Sequence, residues 1–384
     1  MLKSWRGALG AAAVAIGLAC ALGACSTIGY YSQSIEGHID VLRAARPIDD
    51  WLDDPATPEV LRKRLEKVRA MRRFAADELG LPDNRSYTTY ADLKRPYVVY
   101  SVFATPELSL RLRNWCFPVV GCVSYRGYYA KDEADRYAQT LRATGDDVYV
   151  GGIPAYSTLG YTRDPVLSTF IGFPEGEVAR LIFHELAHQV LYVSGDTTFN
   201  ESFAVAVEEE GVKRWFASQP DSAASIAAWR LSVDRKQAFI ALLTRHREAL
   251  EAAYARNVDV DAKRTAKRDE FATLRADYEA LKRDPASPLS GFAGYDRYFA
   301  QALNNANLAA VATYTKRVGA FAKLLEEGHG DLPRFYAAVR ILADLPAAER
   351  NARLDALGGT QDREASAWPH RWTDQAARGL MTRE

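Results

Sequence analysis

The sequence predicts an α+β fold that is predominantly helical: a core with a small sheet, a helical C-terminal lobe and a protruding helical hairpin. Three observations predict it. Runs of β-branched and aromatic residues, the composition of strands, are confined to the stretch from Tyr97 to Ile153. Beyond Pro174 the apolar residues recur at helical spacing almost to the end of the chain. Between these regions lies Phe183-His184-Glu185-Leu186-Ala187-His188-Gln189, in which two histidines stand one helical turn apart on the same face. Hydrophobic residues make up 48% of the chain, and 49 basic residues balance 49 acidic ones. The first figure argues for a folded globule and the second for no basic field, so no nucleic-acid partner is expected.

At the start of the chain, Lys3 and Arg6 precede an apolar run from Ala8 to Leu22 that is too short to span a bilayer comfortably. This is the pattern of a secretory leader over residues 1–24. Its end, Leu22-Gly23-Ala24-Cys25, resembles a bacterial lipobox, in which the cysteine is acylated and becomes the new N-terminus. Ser26 in the next position suits sorting to the outer membrane, so the expected location is the bacterial envelope, lipid-anchored and facing the periplasm. More than one acyl chain on Cys25 would hold the protein stably, whereas a single chain is marginal. Cys20 falls within the leader, which leaves Cys116 and Cys122. In an oxidising compartment these two are expected to pair across a short loop containing Pro118 and Gly121.

The first lobe, residues 25–195, is expected to open with a helix from Tyr30 to Arg46 and a turn-rich connection from Pro47 to Pro58. Thr57 then caps a helix that Gly80 and Pro82 stop near Leu79. Strands follow over 97–103, around 119–129 and over 147–153, with a helix at Lys131 to Ala143. The segment Pro154 to Tyr161 precedes the histidine helix. By analogy with zincins, in which the strand before such a helix rims the cleft, it is assigned as a rim strand whose Tyr156, Ser157 and Thr158 meet an extended peptide, with a buried sheet edge or simple loop as the alternative.

Two imidazoles at i and i+4 can share one metal ion, and Glu185 beside them can take a proton from water, as metal-assisted hydrolysis requires. Pro174 and Glu175 suit the first turn of this helix and Gly195 its end. A catalytic zinc commonly has three protein ligands and one open position. Glu201 is the expected third, on a second helix from Phe199 to Glu210 that packs antiparallel to the first. Asn200-Glu201 resembles the Asn-Glu pair of thermolysin-like zincins, although only residues 189–200 intervene here, a shorter connection than those enzymes use. Glu208, two turns beyond Glu201, could hold a ligand imidazole from behind, or simply be one acid of the solvated run 208–210.

The second lobe, residues 196–357, is expected to be all helical, with charged helices over about 225–256 and 261–282 forming the hairpin. Phe271, Leu274, Tyr278 and Leu281 supply its seam. The hairpin's charges read as a solvated face, with a lid or a protein-partner arm as the functional alternative. A further helix is expected from Tyr295 through Lys316, with Asn304 and Asn305 on it as substrate-backbone ligands. Tyr314 and Tyr161 are expected as candidates to stabilise the oxyanion. A helix pair from Arg340 to Leu357 closes the fold, and 358–384 reads as a mobile or loosely packed tail.

Several blocks together resemble the bacterial family of putative zinc aminopeptidases among envelope lipoproteins. They are Phe183 to Gln189, Gly195-Asp196 through Glu201 to Ala204, Trp115 to Cys122, Tyr125 to Tyr128, Ala155 to Gly160, and Asn304-Asn305-Ala306. The resemblance implies a zincin-like catalytic core, one Zn2+ held by His184, His188 and Glu201, Glu185 as general base, and a peptide or protein substrate. An endopeptidase of envelope proteins and a non-catalytic lipid-anchored scaffold are the alternatives.

Overall fold

The computed structural model describes residues 29–117, 121–220, 222–311 and 317–358. The leader, Cys25, Tyr314 and the tail beyond 358 lie outside these residues. Among the described residues the fold is mostly helical with small sheets, and no helix is long and apolar enough to cross a membrane.

The chain opens with α1 (residues 29–44) and continues directly into β1 (Ala45–Pro47) and α2 (Ile48–Asp53). The expected turn-rich connection is therefore ordered structure. Asp49 and Asp50 sit in the first turn of α2, where acidic side chains favour a helix start. Helix α3 (Glu59–Asp77) has Pro58 as its N-cap, and Thr57 makes no capping hydrogen bond, which corrects the expected cap. Its buried stripe, Leu65, Val68, Met71 and Ala75, faces the main core.

Strands β2 (Thr89–Ala91) and β8 (Val166–Leu167) join β1 in a small sheet of order β1-β2-β8. A second sheet has β3 (Val99–Pro106) at its centre, antiparallel to β6 (Arg126–Tyr128) on one side and β7 (Asp146–Ile153) on the other. Every residue of β3 except Pro106 is buried, because both faces of the sheet are covered. Helix α4 (Lys131–Ala143) packs Ala134 and Ala138 against Tyr100, Val102 and Val148. On the other face, Ala306 and Ala310 meet Phe103 and Tyr149. Between these strands, β4 (Trp115–Phe117) and β5 (Gly121–Val123) form a hairpin closed by the Cys116–Cys122 disulfide, as the cysteine pattern predicted.

The helical half begins with α5 (Glu175–Val190) and α6 (Thr197–Ala217). These are central helices, buried on nearly all sides along most of their length. The hairpin follows as α7 (Ala223–Ala255) and α8 (Val260–Arg283). It does not protrude, which corrects the expectation. Its apolar seam packs against the segment 289–311: Phe239 stacks on Tyr295 at 4.0 Å and Tyr278 on Phe299 at 3.8 Å. Charged contacts fasten it to the sheet as well, with Lys267 Nζ 2.6 Å from Asp147 and Arg264 bonded to Glu107 at 2.8 and 2.9 Å.

The single helix expected from Tyr295 to Lys316 is broken into α9 (Asp296–Phe299) and α10 (Asn305–Val311). Helices α11 (Val318–Glu327), α12 (Leu332–Ala343) and α13 (Ala347–Gly358) close the main core around Phe199, Phe203, Phe321 and Phe335. The closing pair thus begins earlier than expected, and α11 is an additional element.

Candidate metal centre

Helix α5 starts at Pro174, whose φ of −51° suits an N-cap, and carries Glu175 and Glu177 in its first turn, where they complement the helix dipole. It ends at Val190 because Leu191 turns to extended backbone at φ −158°. That is earlier than the expected stop at Gly195, which instead takes a φ of +81° in the turn that follows. Asp196 then caps α6 by accepting a hydrogen bond from Phe199 N–H at 3.0 Å. Asn200 clamps the connection with both ends of its amide: its oxygen accepts from Val193 N–H at 2.7 Å, and its nitrogen donates to Val193 O at 2.8 Å. This clamp is what lets so short a link reverse the chain.

The two helices run antiparallel, as the pairing of Gly211 with Phe183, Glu208 with Arg180 and Glu201 with His188 shows. Gly211 makes the close approach possible. A Cβ there would lie 2.8 Å from Phe183 Cδ2 and 2.9 Å from Leu79 Cδ1, closer than packed atoms stand.

This approach brings together the three residues the sequence singled out. His184 Nε2 and His188 Nε2 are 3.1 Å apart, and Glu201 reaches them at 3.3 Å and 3.6 Å respectively. All three residues are buried, with side chains no more than 4% exposed. Among the described residues they are the one group of donor side chains close enough to hold a metal ion together. The donors fit zinc. Tetrahedral ligands at about 2.05 Å from Zn2+ stand about 3.3 Å from one another; the two imidazole nitrogens lie near that distance, and each meets its own oxygen of the Glu201 carboxylate at a similar one, Oε2 for His184 and Oε1 for His188. Two imidazoles and one carboxylate are also the donor set of a catalytic rather than a closed structural zinc site. Glu185, buried at 3% exposure, lies on the same helix between the two histidines.

Glu208 is not part of a solvated run. Its Oε2 is 2.8 Å from His184 Nδ1, leaving His184 Nε2 to point at the cluster, and accepts from Arg180 Nη1 at 2.9 Å. Arg180 also meets Glu177 at 3.3 Å. Burial disfavours the charged form of His184, but hydrogen bonds and charge from Glu201 and Glu208 outweigh it and raise its pKa to about 9. Lys236 of α7 is buried near this group, and burial together with Arg180 holds its amine well below the usual lysine range. The sequence reading overlooked Arg180. A lone guanidinium one turn before His184 in an otherwise apolar run was its visible signal.

The other sequence candidates take different places. Residues 154–165 form a loop rather than a rim strand. Within it, Ser157 Oγ donates to Asp164 at 2.9 Å and Thr158 Oγ1 at 2.7 Å, while the Tyr156 hydroxyl meets His38 Nδ1 at 2.5 Å. Those hydrogen bonds hold the loop together. Tyr156, its pKa pushed up chiefly by burial, is thereby tied to α1. Tyr161 is 90% exposed, unlike the buried cluster.

Asn304 and Asn305 start α10 instead of lying in mid-helix. Asn304 bonds Val148 O at 3.1 Å, and Asn305 bonds Glu107 O at 2.8 Å while accepting from Tyr254 at 2.9 Å. They join helix, sheet and hairpin. Their amides favour helix starts over helix interiors. Tyr192, which the sequence reading passed over, places its ring 6.2 Å from that of His188 and is 48% exposed.

The family model described as "Putative aminopeptidase" matches residues 29–354, and the chain belongs to that family. No curated protein and no solved structure matches the chain. At this coarse level the protein is a member of a peptidase family with a buried His184, His188 and Glu201 cluster able to bind a metal.

Proposed function

We propose that the protein is a zinc-dependent peptidase of the bacterial envelope that removes residues from the N-terminus of peptides. The observation that carries this reading is the convergence of two imidazoles and one carboxylate at zinc-like separations, with Glu185 on the same buried helix. Membership of the aminopeptidase family supports the reaction class.

His184 Nε2, His188 Nε2 and a Glu201 oxygen would hold the ion. When bound, the ion supplies Lewis acidity, polarising a carbonyl and acidifying water. Glu185 accepts the proton from the attacking water and delivers it to the departing amine nitrogen, so one carboxylate serves as base and then as acid. Glu208 accepts a hydrogen bond from His184 Nδ1–H, which fixes the tautomer and ring angle of that ligand. Arg180 in turn holds the Glu208 carboxylate in place by donating to the same oxygen. Exclusion of bulk water from this buried group strengthens each of these interactions.

The N-terminal lipid on Cys25 is the proposed tether, resting on the leader and lipobox pattern alone. Incorporation of labelled palmitate into the wild type and its loss in Cys25→Ala would support it; equal labelling would remove it. The reaction is tested with peptides bearing free or acetylated N-termini, with and without chelator. Chelator-sensitive cleavage of the free set alone is expected. Equal cleavage of both sets would make the enzyme an endopeptidase, and no cleavage of either would favour a scaffold.

A further inference from the structure

A cavity of about 520 Å³ opens beside the last turn of α5, lined among others by Asn84, Arg85, Ser86, Tyr161, Thr162 and Arg163. Two loops form its walls, and they are tied to each other by Tyr87 N–H donating to Asp164 O at 2.7 Å. The second wall turns sharply through Leu159 at φ +57° and Gly160 at φ +83°, closed by Tyr161 N–H on Thr158 O at 3.1 Å.

The cavity is coupled to the catalytic helix through Gln189. Asn84 Nδ2 donates to Gln189 Oε1 at 2.6 Å, and a Cβ on Gly160 would lie 3.2 Å from Gln189 Cδ. Gln189 stands at i+4 from Glu185, so the two share one face of α5 about 6 Å apart along its axis. The cavity therefore adjoins the side of the helix from which the general base works.

Its chemistry is one-sided. Arg85 and Arg163 are exposed on its walls, and among the described residues neither side chain forms an ion pair. The other polar lining groups are hydroxyls and an amide, and no carboxylate lines the cavity. Two guanidiniums with no acid to neutralise them, set among neutral hydrogen-bonding groups, suit a planar anion that accepts paired N–H donors.

We propose that this cavity binds a carboxylate of the substrate, so that the enzyme acts on short peptides whose C-terminal carboxylate reaches Arg85 and Arg163. This rests on the peptidase reading above, because it takes the substrate to lie across α5. An acidic side chain near the same position would present the same group to the same donors.

The test measures binding and turnover separately. Ala-Ala-Ala, its C-terminal amide, and Ala-Ala-Asp-amide are titrated by calorimetry into the full zinc-loaded chain carrying Glu185→Gln, which leaves the peptide whole. The free acid is expected to bind at least about tenfold more tightly than the amide, from charge-assisted hydrogen bonds. Adding Arg85→Gln and Arg163→Gln is expected to bring the ratio near one, with Arg85→Lys and Arg163→Lys intermediate.

If Ala-Ala-Asp-amide recovers the affinity of the free acid, the side-chain carboxylate is an equivalent occupant; if it binds like the plain amide, the terminal carboxylate is the one read. Equal binding of acid and amide by the Glu185→Gln protein, or an unchanged ratio after both arginines are replaced, would overturn the proposal. Hydrolysis by the wild type is scored independently: cleavage with no carboxylate preference overturns the pocket alone, and carboxylate preference with no cleavage overturns the peptidase reading alone.

Discussion

Replacing Glu208 by Gln tests the arrangement behind His184 most directly. Two donors, His184 Nδ1 at 2.8 Å and Arg180 Nη1 at 2.9 Å, converge on the same oxygen of Glu208. A glutamine keeps the shape but has one acceptor oxygen and no charge. With the amide oxygen in that position both donors keep a neutral acceptor, whereas with the amide nitrogen there both would meet N–H; either way Arg180, only 5% exposed, loses one of its two carboxylates. Removing one partner of a buried ion pair costs roughly 3 to 5 kcal/mol, and the retained acceptor and Glu177 place this case near the lower bound. Loss of a hydrogen-bonding partner behind a metal ligand weakens metal binding by about 10- to 100-fold, or roughly 1.4 to 2.7 kcal/mol. Zinc affinity is read by competition with a chromophoric chelator, and stability by urea unfolding of the zinc-free protein. Glu210→Gln serves as the control, since Glu210 pairs with Lys213 and Arg214 instead. A Glu208→Gln protein whose zinc Kd stays within about twofold of the wild type would refute the coupling from Arg180 through Glu208 to the metal.

Glu185→Gln is expected to retain a full equivalent of zinc by elemental analysis and lose about 10² to 10⁴ in kcat; normal turnover would exclude Glu185 as the base. With His184 raised to about 9 from 6.5, zinc must displace a proton, so affinity should rise about tenfold per pH unit up to near pH 9 and then level. For the zinc-free protein the sign is opposite: the raised pKa stabilises fully below 6.5, and that contribution disappears as pH climbs through 9, which urea titrations across the range would reveal. Gly211→Ala should cost about 1 to 3 kcal/mol by overpacking and weaken zinc binding, because the added methyl pushes α6 off Phe183 and Leu79; an unchanged zinc Kd would separate helix approach from ligand convergence. Arg350→Ala removes two hydrogen bonds, of 2.8 and 3.0 Å, to one carboxylate oxygen of the α6 cap residue Asp196 and should destabilise by about 3 kcal/mol, measured by urea unfolding.

The sequence alone determined the pair of histidines and the helix that carries them. His184 and His188 share a face because the helical repeat brings i and i+4 together, whatever surrounds the helix. The disulfide was equally legible, since Cys116 and Cys122 were the two cysteines left once the leader was set aside. Glu201 was legible only as a candidate: residue spacing shows that a second helix follows, not that it returns at the right depth. Tertiary structure decided that, through the Asn200 clamp on Val193 and the bare face of Gly211. It also decided the partners of the polar residues. Ser157 and Thr158 find a partner nearby in Asp164, whereas Asn304 and Asn305 bond backbone carbonyls of Val148 and Glu107 far away in sequence, because buried polar groups need partners and only folding brings those within reach. The hairpin illustrates the same limit. Its seam was visible as a periodic pattern, but a pattern names the face to be buried and not the surface that covers it, which here is the segment 289–311.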